Sequence, residues 1–281
     1  MKYRYLLAAA AALAAALTMG CTSLDERQRA WIFQPSDRAW GGSADLARDM
    51  QEVWIPFHSQ VTNQEARLNG LWLPAERGVD AAPVLLYLHG ARWNVAGSAP
   101  RIRRMQQLGF SVLAIDYRGF GKSSHGLPSE DTAYEDARAA WDWLAAHHPG
   151  RPRYVFGHSL GGAIAIDLAS KVDDEQGVIV EGTFTSIADV ASTMKWGWLP
   201  VGPLITQRFE SVRKVAQLHS PLLVVHGADD NLISSELGRR LYDAASGRKQ
   251  FLLVEGGSHH STLAVGQAQY RAALAQFFSL N

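Results

Sequence analysis

Cysteine is almost absent from this chain, since Cys21 is the only one among 281 residues. A single cysteine excludes an internal disulfide, so the fold has to depend on its hydrophobic core. Apolar residues make up 47% of the chain, and this fraction together with the length permits a sizeable core in one α/β domain.

The chain also has no excess of positive or negative charge, because it contains 27 basic and 27 acidic residues. No basic run or stripe follows the chain, and nucleic acid is therefore excluded as an expected partner. Internal repeats are lacking, and no low-complexity segment occurs after residue 20. The sequence therefore predicts a single domain that does not bind nucleic acid.

A long apolar run is present only at the N-terminus, from Leu6 to Met19, after the basic residues Lys2 and Arg4. The run is almost wholly Ala and Leu, and at about 14 residues it is short for a membrane span. This arrangement is typical of a secretory signal. We therefore expect residues 1–20 to be a signal peptide and the protein to be exported.

The run ends in Leu17-Thr18-Met19-Gly20-Cys21, which resembles the lipobox of bacterial lipoproteins. The resemblance implies that Cys21 is acylated and becomes the mature N-terminus, which anchors the protein to a membrane. Thr18 departs from the Leu usual at that position, and a plain signal peptide or an uncleaved anchor remains the alternative. In a Gram-negative cell, Thr22-Ser23 lacks the Asp of inner-membrane retention, and the outer membrane is the expected location.

Beyond a polar stretch that ends near Asp49, short apolar runs alternate with segments of helical spacing. Strands buried on both faces of a parallel sheet need such runs. The predicted strands are Arg67–Leu73, Pro83–Leu88, Phe110–Ile115, Tyr154–Phe156, Val178–Val180, Leu222–Val225 and Phe251–Val254. The predicted helices are Pro100–Leu108, Glu130–His147, Leu160–Ser170, Ser234–Ala245 and Thr262–Phe278. This order predicts an α/β fold with a mostly parallel, doubly wound sheet and helices on both faces.

Ser159 stands between a predicted strand and a predicted helix, in a turn that matches G-x-S-x-G. The small residues Gly157, Gly161 and Gly162 would let this turn close tightly and push the hydroxyl outward. The alternative is a Gly-rich strand-to-helix connection that matches the pattern by chance. Ser159 is therefore a candidate nucleophile that needs a base and an acid from elsewhere in the chain.

Two later loops supply such groups, each directly after a predicted strand. The first contains Asp229 and Asp230, and the second contains His259 and His260. The chain order is then Ser, Asp, His, the order expected for a nucleophile on a strand-to-helix turn of this fold class. In doubly wound sheets the functional groups lie at the carboxyl ends of the strands, where all three loops should meet.

Six segments together resemble the α/β-hydrolase superfamily, in particular its ABHD17/BEM46-like and serine aminopeptidase-like groups. They cover roughly residues 67–262 and comprise Leu88–Gly90, Asp116–Ser123, Gly157–Gly161, Glu181–Ser186, His226–Asp230 and Glu255–His259. The resemblance implies a hydrolase domain over residues 50–281, with residues 21–49 as an N-terminal tether. It also implies a short cap, which we assign to residues 189–209, and hence an open pocket.

The resemblance selects Asp230 rather than Asp229 as the acid and His259 rather than His260 as the base. Glu181 is the second candidate for the acid, because some hydrolases of this fold carry it after that strand. The oxyanion would be held by the backbone N–H groups of Leu160 and Ala91. Many relatives have Asn where this chain has Ala91.

Other polar residues near these motifs are interpreted as structural. His89 is expected to form structural hydrogen bonds, and His158 to pack or bond locally. Asp116 and Arg118 are expected to pair and brace the turn at residues 119–121. Three tryptophans in loops, Trp93, Trp196 and Trp198, are candidates to line an apolar substrate site.

The sequence thus predicts a serine hydrolase that cleaves a carboxylic ester or thioester through an acyl-enzyme intermediate. Its expected substrate is a small or lipid-like acyl compound, and no cofactor or metal is indicated. A serine peptidase is the second possibility. A third is a surface-anchored binding protein that kept the fold and lost activity.

Overall fold

The computed structural model describes residues 22–39, 41–194 and 197–280. In this part of the chain, eight strands form one sheet in the order β1-β2-β4-β3-β5-β6-β7-β8. The strands are β1 Gln51–Ser59, β2 Gln64–Leu73, β3 Val84–Leu88, β4 Ser111–Ile115, β5 Arg153–His158, β6 Glu175–Glu181, β7 Leu222–Gly227 and β8 Lys249–Val254.

The six strands from β4 to β8 in this order are parallel, whereas β1 and β2 form an antiparallel edge. The carboxyl ends of the parallel strands therefore meet along one edge of the sheet. This arrangement confirms the predicted fold class of a mostly parallel, doubly wound sheet.

Helices cover both faces of the sheet. They are α1 at 22–33, α2 Ser43–Leu46, α3 Ala99–Gln107, α4 Glu130–His147, α5 Leu160–Ala169, α6 Ile187–Thr193, α7 Ser211–Lys214, α8 Ser235–Ala244, α9 Thr262–Val265 and α10 Gln267–Phe277. Short 3₁₀ turns occur at Val95–Ser98, Gly202–Leu204 and Val215–Gln217.

Strand β3 shows why the central strands are apolar throughout. Its side chains alternate between two cores: Leu86 and Leu88 join α4, α5 and α8, while Leu85 and Tyr87 join α3 and α10. All five residues of β3 are buried, since helices cover each face of the strand.

Strand β1 was not expected, although its burial alternates along Gln51–Ser59 in the manner of a strand with one buried face. Val53 and Ile55 are buried, and Trp54 between them lies on the more exposed face. Pro56 weakens the strand pattern in the sequence, but a proline is compatible with this edge position.

The prediction of a tether at residues 21–49 is wrong for its described part. Residues 22–33 are helical, and Phe33 at the end of this helix is fully buried, with its ring edge-on to Phe209 at 5.8 Å. Arg29 of the same helix donates a hydrogen bond of 2.9 Å to the carbonyl of Pro128. Helix α1 is therefore packed on the domain, because its apolar face contributes to the core.

The apolar run at Leu6–Met19 and the cysteine at Cys21 lie outside the described residues. Within residues 22–39, 41–194 and 197–280, we find no helix with both the length and the apolarity that crossing a membrane requires.

Truncation of Phe33 to alanine should destabilise the protein by about 3–5 kcal/mol, because it leaves a cavity between α1 and the core. Urea unfolding of the purified protein, followed by circular dichroism, measures this change as a lower midpoint. Leu24→Ala in the same helix is the control, since Leu24 is exposed and its loss should cost less than about 0.5 kcal/mol. Equal midpoints for Phe33→Ala and wild type would show that α1 does not stabilise the domain.

Candidate active site

Ser159 lies on a sharp turn between β5 and α5. Its backbone has φ 55° and ψ −121°, a conformation that costs free energy for any residue other than glycine. The turn is tight: a Cβ added at Gly157 would lie 2.2 Å from the carbonyl oxygen of Gly161. A Cβ at Gly161 would likewise lie 2.1 Å from the carbonyl oxygen of Leu88. The two glycines are therefore required by the close approach of the backbone, as the sequence predicts.

Asp230 and His259 come together at the ends of β7 and β8. The His259 Nδ1 atom lies 2.7 Å from Asp230 Oδ2. The other carboxylate oxygen, Oδ1, accepts hydrogen bonds of 2.9 Å from the backbone N–H groups of Leu232 and Ile233. The carboxylate is thus fixed from both sides, and it in turn orients the imidazole.

The ionisation of Asp230 follows from these contacts. Burial alone would raise the pKa of this carboxyl, but hydrogen bonds from His226 and His259 outweigh burial and hold the pKa below its usual range. The side chain is therefore a carboxylate at neutral pH. Asp229, which the family resemblance set aside, is exposed and donates its N–H to the carbonyl of Gly257.

Ser159 and His259 both line one cavity of about 440 Å³, a size typical of small-molecule sites. Leu160 and Ala91, the expected donors to an oxyanion, line the same cavity. Leu160 is the first residue of α5, so its N–H has no acceptor within the helix. The described cap residues Val190 and Met194 contribute apolar walls. Further apolar walls come from Phe184, Ile187, Leu232 and Ile233. Trp93 lines the cavity, whereas Trp198 does not and Trp196 lies outside the described residues.

The loop after β3 is held by the N-terminal segment, an arrangement that the sequence analysis missed. Arg92 donates its backbone N–H to the carbonyl of Phe33 at 2.9 Å, and Asn94 donates its own to the carbonyl of Arg38 at 2.8 Å. Trp31, Ile32 and Gln34 line the cavity beside this loop. Residues 31–38 are therefore part of the site.

Arg101 was also missed, and it links two of the segments that carry candidate residues. Its guanidinium lies 3.2 Å from the buried carboxylate of Glu181 and donates bonds of 3.2 Å to the carbonyls of His259 and His260. The Tyr270 hydroxyl donates a further hydrogen bond of 2.6 Å to Glu181. This Arg101–Glu181–Tyr270 cluster fixes the backbone of the loop that carries His259.

The same cluster removes Glu181 as the acid partner of His259. The Glu181 carboxylate binds Arg101 and Tyr270, while the ring of His259 is bonded to Asp230. Of the two candidate acids, the structure therefore brings Asp230 to the imidazole.

Comparison with known proteins indicates the family of this chain. The sequence model of the family described as serine aminopeptidase, S33, matches residues 80–213. The uncharacterized protein Rv2307c of Mycobacterium tuberculosis is 32% identical over 237 residues, which are 83% of this chain and 81% of that protein. This chain is a member of the α/β-hydrolase superfamily.

Other similar proteins are hydrolases by name. The lysophosphatidylserine lipase ABHD12 of Gallus gallus is 30% identical over 71% of this chain and 56% of that protein. The esterase Pf2001 of Pyrococcus furiosus superimposes with a TM-score of 0.66 at 21% identity, over 87% of this chain and 98% of that structure, which shows the shared fold.

Two further histidines of this hydrolase have structural contacts. His89 Nδ1 donates to the carbonyl of Gly90 at 2.6 Å, and burial lowers the pKa of His89 to about 4. His158 Nε2 lies 2.9 Å from the carbonyl of His259, and burial, followed by the charge of Arg101, lowers the pKa of His158 as well. Both rings are therefore neutral at pH 7. His158 is buried against the ring of His259, as one of the two expectations for it states, and its hydrogen-bond partner lies 101 residues away in the chain.

The prediction that Asp116 and Arg118 of the hydrolase form a pair is wrong. Arg118 instead binds Asp136 and Glu135 of α4, each at 2.6 Å. Asp116 accepts a hydrogen bond of 2.6 Å from the backbone N–H of Val95, and burial raises the pKa of Asp116 to about 7. The two side chains brace different segments, since consecutive loop residues at 116–118 face different neighbours.

Among the residues that the structure describes, no group of three or more His, Cys, Asp or Glu side chains is arranged to hold a metal ion.

Replacing Tyr270 with phenylalanine should destabilise the hydrolase by about 1.5–3 kcal/mol, because Glu181 loses a donor to its buried charge. Urea unfolding checks this value, and Tyr242→Phe is the matched control. The Tyr242 hydroxyl makes no hydrogen bond with the described residues, so this change should cost less than about 0.5 kcal/mol. A Tyr270→Phe protein as stable as the control would show that the cluster does not contribute to stability.

Proposed function

We propose that this protein is a serine hydrolase that cleaves a carboxylic ester or thioester, with Ser159 as nucleophile, His259 as base and Asp230 as its partner. The observation that carries the proposal is the 2.7 Å contact of His259 Nδ1 with Asp230, with His259 and Ser159 lining one cavity. A carboxylate on Nδ1 fixes the proton there, which leaves Nε2 as the ring atom that accepts a proton.

The proposed reaction has two halves. The Ser159 oxygen attacks the acyl carbon while His259 takes its proton, and the leaving alcohol or thiol departs with that proton. Water then attacks the acyl-enzyme, His259 takes a proton from it, and the carboxylic acid is released while Ser159 regains its hydrogen. Asp230 stays ionised throughout and stabilises the imidazolium, as its lowered pKa allows.

The negative charge that develops on the acyl oxygen needs donors that are fixed before the reaction. We assign these donors to the backbone N–H groups of Leu160 and Ala91. The strained loop after Ala91 is held by hydrogen bonds to Phe33 and Arg38, which supports a preorganised donor at this point.

An ester is favoured over a peptide by the walls of the cavity. Phe184, Ile187, Val190 and Met194 offer an apolar surface that suits an acyl chain. The described residues that line the cavity include no Asp or Glu, the residue types that would hold the free amine of an aminopeptidase substrate. The names of the related lipase and of the esterase with the same fold agree with an ester.

A Ser159→Ala protein should lose all labelling by a fluorophosphonate probe, because the probe reacts only with an activated serine hydroxyl. Gel fluorescence measures the labelling, and circular dichroism checks that the protein is folded. Ser170→Ala, at the other end of α5, is the control and should label as wild type. Hydrolysis of short-chain nitrophenyl esters should fall by at least about 10³-fold in Ser159→Ala. Labelling that persists in Ser159→Ala would exclude Ser159 as the nucleophile.

Aminoacyl amides separate the ester proposal from the peptidase alternative. The wild-type protein should hydrolyse the nitrophenyl esters and leave the amides intact. Faster turnover of the amides would assign the site to a peptidase.

We also propose that the protein is exported and anchored to a membrane by acylation of Cys21. Support comes from the basic start, the apolar run and the lone cysteine in the sequence. In cells given an alkyne fatty acid, the wild-type protein should carry the label and sediment with membranes. Cys21→Ala should lose the label, whereas Ser23→Ala should keep it. A Cys21→Ala protein labelled as strongly as wild type would exclude acylation at this residue.

A further inference from the structure

The loop that follows β3 holds two consecutive side chains in a strained backbone conformation. Arg92 has φ 66° and Trp93 has φ 55°, values that a residue with a Cβ adopts at a cost of about 1–2 kcal/mol. Such strain persists where the surrounding structure holds it, and it concentrates at functional sites. The chain carries large side chains at both positions, although glycine would avoid the strain.

Arg92 is held at the cavity by the N-terminal segment. Its Nε atom donates a hydrogen bond of 2.9 Å to Gln34 Oε1, in addition to the backbone bond to Phe33. The side chain is exposed and lines the cavity next to Ala91, the proposed oxyanion donor. A guanidinium fixed through Nε keeps its two terminal nitrogens for the oxygens of a carboxylate or a phosphate.

The two described arginines that line the cavity differ in their carboxylate partners. Arg101 pairs with the buried Glu181. Arg92 forms no ion pair with any carboxylate in the described parts of the chain, and no Asp or Glu from those parts lines the cavity. Its positive charge therefore has no internal counterpart there, and it favours an anion brought by the substrate.

We propose that Arg92 binds an anionic group, a phosphate or a carboxylate, on the leaving alcohol of an amphiphilic ester. This assignment rests on the proposed esterase function. The acyl chain lies against the apolar walls formed by Ile187, Val190 and Met194, where a charge would lose its hydration without a partner. The anion therefore belongs to the alcohol side of the ester. Water is consumed, and a fatty acid and an anionic alcohol are released.

The test compares four octanoyl esters that share one acyl chain: octanoyl glycerol, octanoyl glycerol phosphate, octanoyl glycerate and octanoylcholine. Wild type should show higher kcat/KM for the anionic esters than for octanoyl glycerol, and the lowest value for octanoylcholine. The phosphate and carboxylate esters distinguish the two sources of negative charge. In 0.5 M NaCl the preference should shrink, because salt screens an exposed pair.

Arg92→Gln should reduce the ratio of anionic to neutral kcat/KM about 10-fold, and Arg92→Glu about 100-fold, as expected for loss of a charged hydrogen bond. Arg138→Gln is the matched control, since Arg138 is an exposed arginine of α4 that pairs with Asp142 and should leave the ratio unchanged. A ratio that Arg92→Gln does not change would overturn the assignment.

A binding measurement separates failure of this proposal from failure of the proposed function. Isothermal titration of the Ser159→Ala protein should show tighter binding of decyl phosphate than of decyltrimethylammonium, with the difference lost in Ser159→Ala/Arg92→Gln. If wild type hydrolyses none of the esters, the esterase proposal fails, and this titration alone decides the role of Arg92. Equal binding of the two amphiphiles, or a difference that survives Arg92→Gln, would contradict an anion site.

Discussion

The close backbone approach between β5 and α5 is the constraint on which the candidate site depends. Gly157 and Gly161 let the turn pass within van der Waals distance of itself and of the end of β3, and Ser159 takes up the strained conformation between them. The Ser159 N–H donates to the carbonyl of Glu181 at 2.9 Å, so the neighbouring strand β6 holds the turn in place. Because β5 is central in the sheet, the strain is spread over a rigid scaffold rather than over a mobile loop.

A buried charge organises the opposite side of the site. Glu181 is fully buried, and a carboxylate without partners there would be costly, so Arg101 and Tyr270 are both needed beside it. Arg101 also donates hydrogen bonds to two backbone carbonyls of the loop that carries His259, and it thereby fixes this loop relative to Glu181. The position of the imidazole thus follows from two groups of contacts, Asp230 on its ring and the Arg101 cluster on its backbone.

The parallel sheet and the meeting of Ser159, Asp230 and His259 at one edge could be predicted, because both depend on local patterns. Apolar runs mark strands buried on both faces, and each candidate residue directly follows such a run. Arg101 could not be found in this way, since the groups around its guanidinium lie 57 to 159 residues away and no local pattern marks them. Helix α1 was missed for a related reason. Its buried side chains are Ile32 and Phe33, and the contact of Phe33 with Phe209 is a pairing that the periodicity of a polar segment does not reveal.

Helix α1 connects the proposed membrane anchor with the candidate site. Its last residue, Phe33, holds the loop of Arg92, and its first described residue directly follows Cys21 in the chain. Twelve helical residues span about 18 Å, so an acyl anchor on Cys21 would hold the cavity within that distance of the lipid headgroups. An amphiphile that leaves the bilayer would then have a short path to the apolar walls beside Trp31 and Met194. The segment that the sequence suggested as a passive tether would in that case set both the distance to the substrate and the shape of the loop that receives it.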